Sequence, residues 1–90
     1  MMMTPEKRLE TIKELLIKEF KPIDFKIEDN SAAHQGHSQN SNSAGHYTIY
    51  IKSAKFTDKP IIEQHKMIYA TLNALLKEEI HAISINTSAP

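Results

Sequence analysis

The chain of 90 residues contains no cysteine. This absence excludes disulfides, a thiol nucleophile and any metal cluster held only by the chain's own thiolates. Basic and acidic residues balance at eleven each, so the surface as a whole lacks the positive field that holds a phosphate backbone. No apolar run approaches the roughly 18 residues of a membrane span. We therefore expect a cytoplasmic protein with no membrane partner, in which a metal cluster would need thiolates from another molecule.

A first helix is predicted near the start of the chain. Thr4 can cap free backbone N–H groups, and Pro5 suits the first helical position, where its missing donor costs nothing. Apolar side chains then recur at steps of three or four residues, at Leu9, Ile12, Leu16 and Phe20. This spacing predicts a stripe that packs against a core, and Pro22 ends the helix because it cannot continue the hydrogen-bond ladder.

Three strands and a second helix are predicted after it. Apolar and polar residues alternate in residues 23–28, 47–52 and 82–86, which indicates half-buried strands. A turn at 56–60 precedes a helix of about five turns, whose apolar face is formed by Ile61, Ile68, Leu72 and Leu75, with Leu76 and Ile80 beside them. The polar tail 87–90 is expected to fray. The order helix, strand, strand, helix, strand predicts a single α+β domain over residues 1–90.

Residues 30–45 contain no large apolar side chain and hold both glycines of the protein. The segment is rich in Ser, Asn, Gln and His, so we expect a flexible loop. Loops longer than about 12 to 15 residues in a compact domain are usually functional or disordered. This segment is therefore the first place to look for function.

The strand connections predict where the histidines gather. The first two strands are consecutive and should pair antiparallel, whereas the helical connection predicts a parallel pair for the second and third. The end of the first strand and the starts of the other two would then share one edge of the sheet. Four of the five histidines would lie there, namely His34, His37, His46 and His81. His65 would lie at the opposite end, as a partly buried structural residue of the long helix.

These residues resemble the signature of the BolA family. The resemblance covers nearly the whole chain and rests on Asp29 through His34, His46-Tyr47, Ser53, Phe56, the helical stretch from Gln64 to Tyr69, and Ile80-His81-Ala82-Ile83. The chain departs from the family pattern at Gln64, where arginine is usual, at Asp58, where glycine is usual, and in an insertion-like stretch at 38–43. The resemblance implies a three-stranded mixed sheet packed on helices, similar to the class II KH fold.

For function, the resemblance implies a non-catalytic adaptor that is a monomer when alone and binds a monothiol glutaredoxin. The two proteins would share a [2Fe–2S] cluster, with thiolates from glutaredoxin and glutathione and imidazole from this chain, which would hold no cofactor by itself. His81 is the expected ligand and His34 the expected second ligand. His37 and His46 are alternative ligands, or neighbours that orient the ligands through hydrogen bonds. This role would belong to iron–sulfur cluster trafficking or iron homeostasis.

The alternative is a DNA-binding transcriptional regulator, because the family is also associated with transcription and the fold resembles KH modules. Lys55, Lys59 and Lys66 are the candidate nucleic-acid contacts, and an ordinary solvated face is the competing interpretation. A KH module clamps the backbone with a Gly-x-x-Gly loop, and the two glycines of this chain do not form one. An enzyme is the least favoured hypothesis, since nothing rigid would hold Asp29, Ser31 and His34 at about 3 Å from one another.

Overall fold

A computed structural model describes residues 3–30, 45–77 and 80–90. The elements are helix α1 (Pro5–Phe20), strands β1 (Asp24–Asp29) and β2 (Gly45–Lys52), a 3-10 helix (Ala54–Phe56), helices α2 (Ile61–Thr71) and α3 (Asn73–Leu76), and strand β3 (Ile80–Ser88). β2 is the central strand, with β1 antiparallel on one side and β3 parallel on the other. This arrangement confirms the predicted α+β fold with a three-stranded mixed sheet.

Helix α1 begins and ends where its sequence predicts. The Thr4 side chain accepts a hydrogen bond from the Lys7 N–H at 3.1 Å, and Pro5 occupies the first turn. Ile12, Leu16 and Phe20 are buried, so the apolar stripe faces the core. The helix ends at Lys21, which adopts a left-handed conformation with a φ of 44° immediately before Pro22.

The hydrophobic core lies between one face of the sheet and the helices. On β2, Tyr47, Ile49 and Ile51 are each at most 2% exposed, while Tyr50 between them is exposed, as the alternation of side chains along a strand requires. Ile68 and Leu72 cover this face from the helical layer and are fully buried. Phe25, Ile27, Ile83 and Ile85 of the outer strands pack against the same cluster and are half-buried.

Two apolar residues at the ends of elements are exposed, contrary to the predicted pattern. Ile23 is 65% exposed and precedes β1, although its N–H still donates to the Lys52 carbonyl at 2.8 Å. Ile61 is the first residue of α2 and is 57% exposed. Periodicity reports which face of an element is apolar, whereas burial also requires that a neighbouring element extends over that position.

The predicted long helix is divided at Leu72. Leu72 has φ −97° and ψ 7°, and α3 begins at the next residue. The Thr71 hydroxyl donates to the Met67 carbonyl at 3.0 Å, a contact with the preceding turn that often bends helices. Ile80, which the apolar spacing predicts beside the apolar face of this helix, instead begins β3. None of the described helices has the length and apolar character needed to cross a membrane.

The end of β3 is paired, although its sequence predicted a frayed tail. Thr87 and Ser88 lie opposite Ile51 and Lys52 in the ladder. The Ser53 N–H also donates to the Ser88 carbonyl at 3.0 Å. The prediction of a frayed tail is wrong because the ladder uses main-chain groups rather than side chains. Every residue supplies a carbonyl, and every residue but proline also supplies an N–H.

The turn after β2 contributes a core residue. Phe56 is fully buried, and its ring centroid lies 5.1 Å from that of Phe20 at the end of α1. Asp58, where the resemblance leads us to expect glycine, adopts a φ of 63°. Glycine reaches this left-handed region without steric cost, and aspartate is one of the few other residues that visits it routinely. The substitution therefore retains the turn.

Ser53 joins the end of α1 to the start of this turn. Its hydroxyl is fully buried, donates to the Phe20 carbonyl at 2.7 Å and accepts from the Lys55 N–H at 3.1 Å. We expect Ser53→Ala to lower the free energy of unfolding by about 1–3 kcal/mol, because a buried carbonyl loses its partner. Urea denaturation followed by circular dichroism measures the change.

The matched control for this prediction is Ser84→Ala on β3, where the side chain is exposed. A surface substitution of this kind is expected to change the free energy of unfolding by less than about 0.5 kcal/mol. Equal unfolding free energies for the two variants would show that Ser53 does not stabilise the junction.

Candidate functional site

One edge of the sheet brings together the end of β1 and the starts of β2 and β3. Asp29 pairs with Tyr47 across the antiparallel ladder, and the parallel ladder begins at Gly45 and Ile80. The main chains of His46 and His81 therefore lie on neighbouring strands at this edge, as the strand connections predicted. We call this region the histidine edge; it consists of residues 29–30, 45–46 and 80–81.

The ladder between β2 and β3 is irregular at the histidine edge. Gly45 pairs with Ile80 and His46 pairs with Ala82, with a register shift between the two pairs. His81 is therefore the extra residue of β3, as in a β-bulge. Bulges are rare in parallel pairs and are over-represented next to functional sites, where they redirect a side chain or end the pairing. The sequence predicted His81 at the start of the strand but not this irregularity.

The bulge also explains the burial pattern of β3. Ile80 is buried and Ile83 packs partly against the same core, although an odd number of steps separates them. In a regular strand such residues would face opposite sides of the sheet. The extra residue at His81 lets both isoleucines face the helices.

Asn30 holds the chain in place where β1 ends. Its N–H donates to the His46 carbonyl at 2.7 Å, and its side-chain oxygen accepts from the Thr48 hydroxyl at 2.6 Å. His46 is half-buried and, because side chains alternate along a strand, lies on the opposite face of β2 from buried Tyr47. The position of His46 is thus set by the sheet and by the end of β1.

A buried arginine contacts the first core residue of β2. Arg8 of α1 is 3% exposed, and its Nη1 donates to the Tyr47 hydroxyl at 3.5 Å, a long hydrogen bond. Its Nη2 donates to the Met3 carbonyl at 3.4 Å. A guanidinium is always charged in proteins, so Arg8 places a fixed positive charge on the core side of the strand that carries His46.

Sequence reasoning missed Arg8, although a signal for it exists. The residue continues the four-residue spacing of Ile12, Leu16 and Phe20 towards the start of α1. A charged residue on an apolar stripe is unusual, because an arginine is almost never fully buried unless it is paired. Its place on the stripe was therefore the available evidence for a buried polar contact.

Two of the predicted ligands, His34 and His37, lie outside the described residues. Their role stays a prediction. The described residues on either side, Asn30 and Gly45, are both part of the histidine edge. The chain segment that carries these two histidines therefore leaves from this edge and returns to it.

His65 is separate from this region. It lies in α2, which follows the C-terminal end of β2 and so begins at the opposite edge of the sheet. As predicted, His65 is half-buried, and its Nε2 atom is buried with no hydrogen-bond partner in the part of the chain that the structure describes. Across residues 3–30, 45–77 and 80–90, no three His, Cys, Asp or Glu side chains form a group that could hold a metal ion.

The candidate nucleic-acid contacts lie around the 3-10 helix and α2. The Lys55 ammonium donates to the Glu19 carbonyl at 2.6 Å and lies 3.7 Å from the Glu19 carboxylate. The Lys66 ammonium lies 3.6 Å from the Glu63 carboxylate, and Lys59 is exposed. Two of the three lysines thus have a carboxylate neighbour, which reduces the local positive field.

Gln64 takes part in intramolecular contacts at the helix position where the resemblance leads us to expect arginine. Its amide nitrogen donates to the Lys59 carbonyl at 2.8 Å. Its amide oxygen accepts a hydrogen bond from the Thr87 hydroxyl. Gln64 therefore connects the turn before α2 with the end of β3.

The fold and the histidine edge define a small α+β domain in which the main chains of two histidines, His46 and His81, lie on neighbouring strands at one end of a mixed sheet. A family model described as BolA-like protein matches residues 16–90. The chain belongs to the BolA family.

Several proteins of known sequence or structure are similar to this chain. SufE-like protein 1, chloroplastic/mitochondrial, of Arabidopsis thaliana is 37% identical over 84 residues, which cover 88% of this chain and 23% of that protein. The DNA-binding transcriptional regulator BolA of Escherichia coli is 31% identical over 78 residues, covering 87% and 71% respectively. The solved BolA domain of SufE1 from Arabidopsis thaliana has a TM-score of 0.75 and 31% identity over 90% of each chain. This chain thus spans less than a quarter of the length of SufE-like protein 1.

Proposed function

We propose that this protein is a non-catalytic adaptor that binds a monothiol glutaredoxin and helps to ligate a [2Fe–2S] cluster shared by the two proteins. The observation that supports it best is the histidine edge. His46 and His81 lie there on neighbouring strands, and the segment that carries His34 and His37 leaves from it and returns to it. His34 follows Asn30 by four residues, which span at most about 14 Å.

The donor set of the chain fits a shared cluster. Neutral imidazole is a suitable ligand for iron, but the chain has no cysteine, so the thiolates would come from glutaredoxin and glutathione. We assign His81 as the principal ligand and His34 as the second, with His46 and His37 as alternatives or as residues that orient the ligands. Imidazole in place of thiolate on one iron raises the reduction potential of a [2Fe–2S] cluster. This chemistry suits cluster trafficking or iron homeostasis.

Reconstitution with a monothiol glutaredoxin tests this proposal. The two proteins are mixed with iron, sulfide and glutathione, separated by size, and examined by visible absorption and circular dichroism. We expect a copurified complex whose spectrum differs from that of the glutaredoxin alone with its cluster, because imidazole replaces a sulfur ligand. Failure to form any complex, with or without the cluster, would remove the proposal.

DNA binding is the second candidate, and the name of the Escherichia coli relative supports it. Lys55, Lys59 and Lys66 are the residues we assign to it. Its test is the affinity for duplex DNA as a function of salt, because each neutralised phosphate contributes a slope of about −0.9 in a plot of log K against log salt. A steep slope that becomes shallower when these lysines are replaced by glutamine would favour DNA binding over the adaptor function.

A further inference from the structure

Strand β3 has one unpaired side. It runs over nine residues, pairs with β2, and no other described strand lies beside it. The Ser88 carbonyl accepts from Ser53 on the β2 side, and main-chain groups of alternate residues in a strand point to the same side. The N–H and carbonyl groups of Ile83, Ile85 and Thr87 therefore point away from β2, towards the free side.

The two outer strands of the sheet differ in charge. β1 carries Asp24, Lys26, Glu28 and Asp29, whereas β3 contains no acidic residue, lysine, arginine or proline. Natural proteins protect exposed sheet edges with charges, proline or bulges along the strand. β1 is protected in this way, while on β3 the only such feature is the bulge at its first residues.

We propose that β3 pairs antiparallel with β3 of a second copy of this chain, in contrast to the monomer that the family resemblance implies. One sheet would then continue through both copies. Complete overlap of Ile80–Ser88 with itself puts the two-fold axis at Ser84. Ile83 then lies opposite Ile85 of the second copy, on the side of the sheet that faces the helices. Both isoleucines are only half-buried in the single chain, and the pairing would cover more of their apolar surface.

The strand is complementary to itself in this register. Each odd-numbered residue of β3, whose N–H and carbonyl groups point away from β2, lies opposite an odd-numbered residue of the second copy. The two residues can therefore exchange main-chain hydrogen bonds, as in the hydrogen-bonded pairs of an antiparallel ladder. On the outer face, exposed Ala82 lies opposite exposed Asn86, and no like charges meet. A two-fold contact of identical surfaces is the commonest form of protein assembly. The two histidine edges lie at opposite ends of the paired strands, and the pairing requires neither a cluster nor a glutaredoxin.

The experiment introduces like or opposite charges across the new contact. One variant carries Ala82→Lys with Asn86→Lys, and the other carries Ala82→Glu with Asn86→Glu. Analytical ultracentrifugation over a range of protein concentrations at low salt measures the dissociation constant of the dimer. We expect each variant alone to dissociate roughly tenfold more readily than the unaltered chain, because two like-charged pairs face each other, and an equimolar mixture to regain the association.

The control places the same lysines elsewhere, in Ala70→Lys with Asn73→Lys, at two exposed helical positions. It is expected to leave the dissociation constant unchanged. A monomer at every concentration, assemblies larger than a dimer, or a dimer indifferent to the β3 charges would overturn the proposal. So would a mixture of the two variants that associates no better than either alone. If the unaltered chain stays monomeric but binds an extended peptide, the occupant of the edge is another protein.

Discussion

Replacing His81 by alanine is expected to abolish the shared cluster, or to make it too labile to copurify, while the fold remains intact. The substitution removes the imidazole to which we assign iron ligation, and no cysteine in the chain can take its place. The ladder between β2 and β3 is formed by main-chain groups, so the pairing does not require this side chain. The measurements are visible circular dichroism of the reconstituted complex and far-ultraviolet circular dichroism of the variant alone.

The matched control for this prediction is Asn86→Ala, an exposed residue farther along the same strand. It should leave the cluster spectrum unchanged. His46→Ala separates the two roles considered for that residue. If His46 orients a ligand, its loss should shift the spectrum or shorten the lifetime of the cluster, and if it is itself a ligand, the effect should equal that of His81→Ala.

Two other outcomes are informative for His81. An unfolded His81→Ala protein would mean that the residue supports the start of β3 rather than a cluster. A folded variant with an unchanged cluster spectrum would contradict the assignment of His81 as a ligand, and His34, His37 and His46 would then be the remaining candidates. Binding of the His81→Ala variant to glutaredoxin, measured without iron, distinguishes loss of the cluster from loss of the contact between the two proteins.

The gathering of His46 and His81 could be predicted from the sequence because it depends on connections rather than on contacts. A short link favours an antiparallel pair and a helical link a parallel one, and these two rules alone place the strand ends at one edge. This prediction requires no knowledge of side-chain contacts. His34 and His37 reach the same edge in the prediction only through the loop, which is why their role still rests on the family resemblance.

The irregular features could not be predicted in this way. The bulge at His81 depends on how Ile80 and Ile83 both reach the core, which is a property of the packed sheet. The interruption of the long helix at Leu72 does not disturb the apolar spacing, so the periodicity of the sequence continues across it. Apolar spacing predicts which face is buried but is insensitive to a local change of main-chain angles.

Residues that connect elements were also missed. Ser53 and Gln64 contribute to the family resemblance, but nothing in the sequence predicted that each bridges segments that are distant along the chain. The sequence predicts a turn at Phe56, and a turn has no periodic pattern from which burial could be expected. Such residues are identified only once the elements they join have been placed relative to one another.

Phe56→Ala is expected to destabilise the protein more than any other change considered in the turn. The side chain is fully buried and packs against Phe20, and removal of a buried phenylalanine ring costs about 3–5 kcal/mol. Small domains unfold with only about 5–15 kcal/mol, so the loss is a large fraction of the total. Thermal unfolding should shift by about 12 °C or more, since 1 kcal/mol corresponds to about 4–8 °C at this size.

Two controls decide what such a loss would mean. Phe56→Leu retains much of the apolar volume and should lose less stability than Phe56→Ala, because the cavity left behind is smaller. Ile23→Ala removes a residue that is 65% exposed and should change the unfolding free energy by less than about 0.5 kcal/mol. If Ile23→Ala lowered the unfolding free energy as much as Phe56→Ala, Ile23 would be part of the core. The apolar alternation that includes Ile23 would then be right, and its observed exposure would be wrong. A large effect at Phe56 alone would establish that the junction of α1 with the turn after β2 is part of the core.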